Sequence, residues 1–191
     1  MTNLEQSVIA LNRPTLPLSG LRAYGFQIAL IGTAVILPLV AHLSGAPVRN
    51  LLPMHWPVIL AGLVYGWRGG AVTGLLAPIV SWLISGFPLP GILPSMTVEL
   101  LAYGFITGFL CERTTLKTWV SVTIALVAGR GVFVGSVLFG HVVSGTQPGY
   151  FLAALLPGLT ACIGQVALLP LLARWWVGQE RAGEEQQGQT T

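Results

Sequence analysis

Between residues 24 and 176 the chain is a succession of apolar stretches from which charge almost vanishes. Charged residues make up 8% of the 191, against 53% hydrophobic, and the mean hydropathy is +0.77. A soluble core of this size cannot hide so much apolar surface, so the solvent around these stretches is lipid. In lipid every backbone N–H and C=O needs an internal partner, which leaves helices and closed barrels. The 24 Gly and 13 Pro fit a polytopic helical protein. A barrel would instead alternate lipid-facing and polar residues.

The apolar stretches divide into six spans, at roughly 24–43, 51–67, 70–86, 94–111, 118–140 and 150–176. The expected fold class is therefore an all-α integral membrane protein with six transmembrane helices. Pro53 and Pro57 break the start of the second span, so residues 44–56 are expected to dip towards the bilayer before a clean helix begins.

The nine basic residues set the orientation. If six helices alternate, Arg13, Arg22, Arg68, Arg113, Lys117, Arg174 and Arg181 fall on one side, with only Arg49 opposite and Arg130 inside a span. The positive-inside rule then places both termini in the cytoplasm. This gives a cytoplasmic segment 1–22, a membrane domain 23–176 and a polar tail 177–191 expected to be disordered. Trp175 and Trp176 read as an interfacial anchor. Residues 1–20 hold Glu5, Arg13 and two prolines without a hydrophobic core, so a cleavable signal peptide is not expected. The net charge of +3 reflects basic cytoplasmic loops, and no basic run with interleaved aromatics points to nucleic acid. Cys111 and Cys162 give no disulfide framework.

Glycines recur four apart, at Gly62, Gly66, Gly70 and Gly74, at Gly104 and Gly108, and at Gly131 and Gly135. Small residues at this spacing let a neighbouring backbone approach closely. Packing within the chain accounts for such pairs. In the first span Gly25, Ala29 and Thr33 keep the same spacing, and that stripe serves equally well for docking another subunit.

Two ionisable groups stand out within the spans, Glu99 and Arg130. A charge at the bilayer centre costs at least about 2.5–3.5 kcal/mol, so such groups face a bundle interior or a wet cavity. At 1.5 Å per residue Arg130 lies about 18 Å from the cytoplasmic boundary and Glu99 about 22 Å. The two can therefore meet, either as a structural pair or with Glu99 orienting a guanidinium that binds an anion or carbonyl. His42, His55 and His141 are all expected at the outer face, beside the Met54-His55-Trp56 tripeptide. No two histidines share an i, i+4 face and neither Cys nor Asp joins them, so a metal site is not expected. Trp56, Trp82, Phe87 and Tyr150 fit an aromatic belt, with Trp56 best placed to stack on a flat ligand. The loops 44–56, 86–94 and 143–149 are candidates for a lid. Enzyme chemistry finds no support: no GxSG, no HExxH, no paired aspartates and no GxxxxGK[ST] loop occur.

LPMHWPVILAG at 52–62, the Pro-rich loop leading into MTVELLAYG at 96–104, and ALVAGRGVFVG at 125–135 resemble the substrate-binding S components of energy-coupling factor (ECF) transporters. The resemblance covers roughly residues 24–173. It implies a six-helix subunit of a prokaryotic plasma membrane that captures a vitamin or related micronutrient from outside. Such a subunit works with a transmembrane coupling subunit and two ATPase subunits, and has no cofactor or covalent chemistry of its own. It implies substrate contact by His55, Arg130, Glu99, Trp56 and Met54. It also implies partner docking through Gly25, Ala29 and Thr33, although the Ala-x-x-x-Ala stripe usual in the family is matched only loosely. A non-transport membrane scaffold, pinned by Glu99–Arg130, and a solitary transporter are the alternatives. Relatives that carry metals use an N-terminal Met-His, and this chain begins Met-Thr-Asn.

Overall fold

A computed structural model describes residues 15–144 and 158–188, all of whose regular structure is helical. In chain order these are α1 Gly20–Leu43, α2 Val48–Leu51, α3 His55–Ser85, α4 Leu93–Arg113, α5 Thr118–Ser144 and α6 Gly158–Gly188. Five of them are long and apolar enough to cross a membrane; α2 is a single turn. The outward side chains, among them Leu21, Ile28, Val127, Phe139, Ile163 and Leu171, are the apolar surface that lipid covers.

The expectation of six separate transmembrane helices is corrected: among the described residues five helices are long and apolar enough to cross a membrane. No loop separates the second and third expected spans. They form one element, α3, whose helical geometry fails at a single residue, Gly66, with φ 68° and ψ −166°. The left-handed side of that map is open to glycine at little steric cost. The element folds back on itself there. A straight helix would hold Gly62 and Gly70 about 12 Å apart, yet a Cβ on either would strike the same carbonyl oxygen, that of Gly104. Because α3 turns back at Gly66, both its ends lie towards the same side of the bundle, and sidedness is read from where the basic side chains gather.

The arm from His55 to Tyr65 spans about 16 Å at 1.5 Å per residue, or half of a ~30 Å hydrocarbon core. That sets His55 deep in the bundle. Ahead of it lie the single turn α2 and the left-handed Leu52.

Glycines knit α3 to α4. Gly70 and Gly104 meet backbone to backbone, Gly74 lies on the carbonyl of Leu100, and Gly108 lies on Gly66 and Trp67. Gly131 and Gly135, which share the sequence spacing, face open space with nothing within 4 Å. The buried residues of α1 (Gln27, Leu30, Ala34, Val35, Pro38 and Ala41) form one helical face. Gln27 fixes it on α3, donating from Nε2 to the Gly69 carbonyl at 2.9 Å and to Thr73 Oγ1 at 2.6 Å.

The basic residues gather at the Gly66 end. A cavity of about 520 Å³ there is lined by Thr15, Tyr65, Trp67, Arg68, Glu112 and Arg113. A second, of about 310 Å³, is lined in part by Cys111, Arg174 and Arg181. Arg22 Nη2 pairs with Glu180 Oε1 at 3.1 Å, and Phe26 meets Trp176 edge to face at 5.3 Å between centroids. Trp175, the other half of the expected anchor, points outward. α6 continues past both into the polar tail as far as Gly188.

Gly104→Ala is expected to lower stability by about 1–3 kcal/mol or more, because the clash is with backbone that no rotamer change relieves. Gly131→Ala, facing open space, should be neutral or slightly stabilising, since alanine is the better helix former. Thermal unfolding of both variants in the same detergent measures the contrast.

A candidate binding site around Glu99 and Arg130

Three helices contribute polar side chains to one point in the interior. Glu99 lies in the second turn of α4 and is 2% exposed. A single carboxylate oxygen, Oε1, accepts from Arg130 Nη1 at 3.0 Å and from the Tyr103 hydroxyl at 2.9 Å. His55 Nε2 stands 3.8 Å from the same oxygen. Tyr103 is four residues after Glu99, the spacing that stacks side chains on one helix face. The expected Glu99–Arg130 pair therefore forms, and tyrosine and histidine complete a cluster around it.

Each member is held by its surroundings. Tyr103 is fully buried, and its ring lies on Gly129, where any Cβ would strike it. Space for the guanidinium comes from Gly158 at the start of α6, where a Cβ would strike Arg130 Nη2. Gly131, beside Arg130 in sequence, instead faces away. His55 is placed by an uncommon backbone state. Leu52 adopts φ 44° and ψ 54°, a left-handed conformation that costs a non-glycine residue roughly 1–2 kcal/mol. That conformation lets the Leu52 carbonyl accept the His55 N–H at 3.0 Å and start α3. The turn is tied down by Trp56 Nε1, which donates to the Leu51 carbonyl at 2.9 Å, and by Thr160 Oγ1, which donates to the Asn50 carbonyl at 3.0 Å.

Hydrogen-bonding capacity is left over. Both His55 ring nitrogens, and Nε and Nη2 of Arg130, are buried without a hydrogen bond, His55 Nε2 having only the 3.8 Å approach to Glu99. A buried unsatisfied group costs about 1–3 kcal/mol, more when charged. Four such atoms around one ion pair form a concentrated set of unmet donors and acceptors. Arg130 keeps 18% of its side chain exposed while Glu99 keeps 3%, so the arginine is the less enclosed member of the pair.

The other expected site residues fall around this cluster or away from it. Trp56 packs its ring towards α6, where a Cβ on Gly164 would come within 3.2 Å of it. Met54 is 2% exposed and belongs to the apolar core. His42 stacks on Phe87 with centroids 4.9 Å apart, away from His55. The side chain of His141, Tyr150 and the loop 145–149 lie outside the described residues. Among the described residues no three His, Cys, Asp or Glu side chains gather as a metal site. Gly25, Ala29 and Thr33 are all exposed on the outer face of α1, with Thr33 Oγ1 bonded to its own helix at the Ala29 carbonyl, 2.8 Å away. The two cavities at the basic end touch none of these residues.

Sequence reasoning missed Tyr103, although its i+4 spacing from Glu99 was legible. It also missed Gln165, a lone amide in an apolar span to which the logic applied to Glu99 extends. Gly158 and the conformation of Leu52 carried no sequence signal.

Glu99→Gln is expected to destabilise the protein by about 3–5 kcal/mol, because it strands the buried guanidinium. Arg130→Met in the same chain should restore part of that loss. Unfolding of the two single variants and the double variant gives the coupling between them.

Neither the curated proteins nor the solved structures searched gave a match. A family model described as "ECF transporter, substrate-specific component" matches residues 28–173, a stretch that includes His55, Glu99, Tyr103 and Arg130. The chain is a multi-pass membrane protein that belongs to the family of substrate-specific components of ECF transporters.

Proposed function

We propose that this subunit captures a vitamin or related micronutrient at the Glu99–Arg130 cluster, for uptake driven by ATP hydrolysis on partner subunits. The observation that carries the reading is the set of unpartnered buried nitrogens on His55 and Arg130. A structural ion pair needs no surplus donors, whereas a binding site keeps them for what it binds. Arg130 supplies the fork, Glu99 fixes its orientation, His55 adds a second polar edge and Trp56 an apolar wall. Met54 packs beneath them as support.

The positive-inside rule assigns the end carrying Arg22, Arg68 and Arg113 to the cytoplasm, which turns the His55 end outward. The energy-supplying partners are a transmembrane coupling subunit and two ATPase subunits, in a prokaryotic plasma membrane. The exposed face of α1 suits the first of these. It is smooth at Gly25, Ala29 and Thr33, with no atom within 4 Å of a Cβ at Gly25. Small residues on a lipid-facing helix allow a second helix to approach closely.

Two variants separate the roles. Arg130→Ala is expected to lose the small molecule that co-purifies with the wild type in detergent, read by mass spectrometry. Ala29→Trp should keep that molecule but lose co-purification with the coupling subunit. Unchanged retention by Arg130→Ala would remove the site assignment.

A further inference from the structure

Gln165 is a fully buried polar side chain with no role in the cluster described so far. It is 0% exposed, and neither its amide oxygen nor its amide nitrogen has a hydrogen-bond partner. It lies on the inward face of α6, where Gly158, Ala161, Gln165, Leu169 and Ala173 are all buried. Gly158 is the residue against which the Arg130 guanidinium packs. Gln165 follows it by seven residues on the same face, about 10 Å deeper at 1.5 Å per residue. The residue before it, Gly164, receives the edge of Trp56.

The fold's other buried glutamine provides the contrast. Gln27 ties two helices together through Gly69 and Thr73. Gln165 ties nothing. The hydroxyls of Thr107 and Ser121 are also buried and unpartnered, but a helical hydroxyl can rotate onto the carbonyl one turn back. A glutamine amide has no such local outlet. It needs both an acceptor and a donor brought to it.

We propose that Gln165 is a ligand-recognition residue of the Glu99–Arg130 site, and that the molecule bound there is an uncharged ring carrying an amide edge, a C=O beside an N–H. This rests on the binding role given above to that cluster. The amide of Gln165 complements such an edge atom for atom, donating to the C=O and accepting from the N–H. Arg130 Nε and Nη2, beside Gly158 about two helical turns along α6 from Gln165, donate to a second acceptor, which fused rings or a ring with a short tail would carry. Charge favours a neutral occupant. The formal charges of Glu99 and Arg130 cancel, so this pair has no excess positive charge to match a carboxylate or phosphate.

The test compares wild type, Gln165→Met and Arg130→Met purified in detergent. Small molecules released on denaturation are identified by mass spectrometry, and unfolding temperatures are measured after exhaustive dialysis. The wild type is expected to release a compound that is uncharged at neutral pH and carries an amide edge. Gln165→Met should retain at most a tenth as much and unfold no lower than the wild type, since methionine replaces an unpartnered amide with apolar atoms of similar shape. Equal retention by Gln165→Met would overturn the proposal, as would a lower unfolding temperature after dialysis, or a released compound bearing carboxylate or phosphate. In any of these cases loss of the compound by Arg130→Met leaves the binding role of the cluster standing. If Arg130→Met retains it too, or the wild type releases none, both readings fail together.

Discussion

The ion pair between Glu99 and Arg130 makes the heaviest demands on the structure around it. A guanidinium at this depth in a lipid-solvated bundle is tolerable only with a carboxylate in reach, and both must be kept from lipid. One carboxylate oxygen gathers the arginine and the tyrosine, with the histidine close by. The chain supplies what that gathering needs: glycine at 129 for the tyrosine ring, glycine at 158 for the guanidinium, and a left-handed Leu52 that brings the histidine to the right depth. The expense of desolvating both charges is offset only in part by their attraction, which is why a purely structural account is unsatisfying. A methionine–leucine pair of similar volume would hold the helices together at least as well. The unmet nitrogens beside the pair are what the proposed binding role would use.

Depth is set by the glycine seam between α3 and α4. Because Gly62, Gly70, Gly74, Gly104 and Gly108 bring backbones into contact, the two elements cannot slide past one another without collision. The fold-back at Gly66 makes the first arm of α3 half the thickness of the bilayer core, so its N-terminal histidine emerges in the interior. The same helix geometry that fixes His55 opposite Glu99 also fixes Gly74 beside Leu100, on the other arm. Local stiffness of this kind is what a site with several converging polar groups requires.

The two ends of the bundle differ in character. At one, Arg68, Arg113, Arg174 and Arg181 line open cavities. At the other, polar atoms are enclosed by apolar side chains and by the turn at residues 44–54. The outward face of α1 belongs to neither. Its inner face is bound to α3 through Gln27, while Gly25, Ala29 and Thr33 lie exposed on its outer face among aliphatic side chains such as Leu21, Ile28 and Ile36. A helix fixed on one side and smooth on the other leaves a lipid-facing surface free for a second protein, and docking there would not disturb the polar cluster.

Composition alone determined the solvent and the class, because no soluble core could hold this much apolar surface and lipid admits no open-edged strands. The lone charges at 99 and 130 were also legible, since helix rise converts sequence position into depth and their depths agreed. The number of crossings was not. Gly66 sits in a run of glycines whose composition is the same whether the chain forms two helices with a loop or one element folded at a single residue. Only the backbone approach of Gly62 and Gly70 to one carbonyl decides between them. Which glycines pack was likewise a tertiary outcome: the pair at 104 and 108 lies in a helix seam while the pair at 131 and 135 faces outward, although their spacing is identical. Periodicity shows that a face is smooth, and only the neighbouring element shows what the smooth face meets. For the same reason the sequence could offer Arg130 a partner, but not the glycine from another helix that makes room for it.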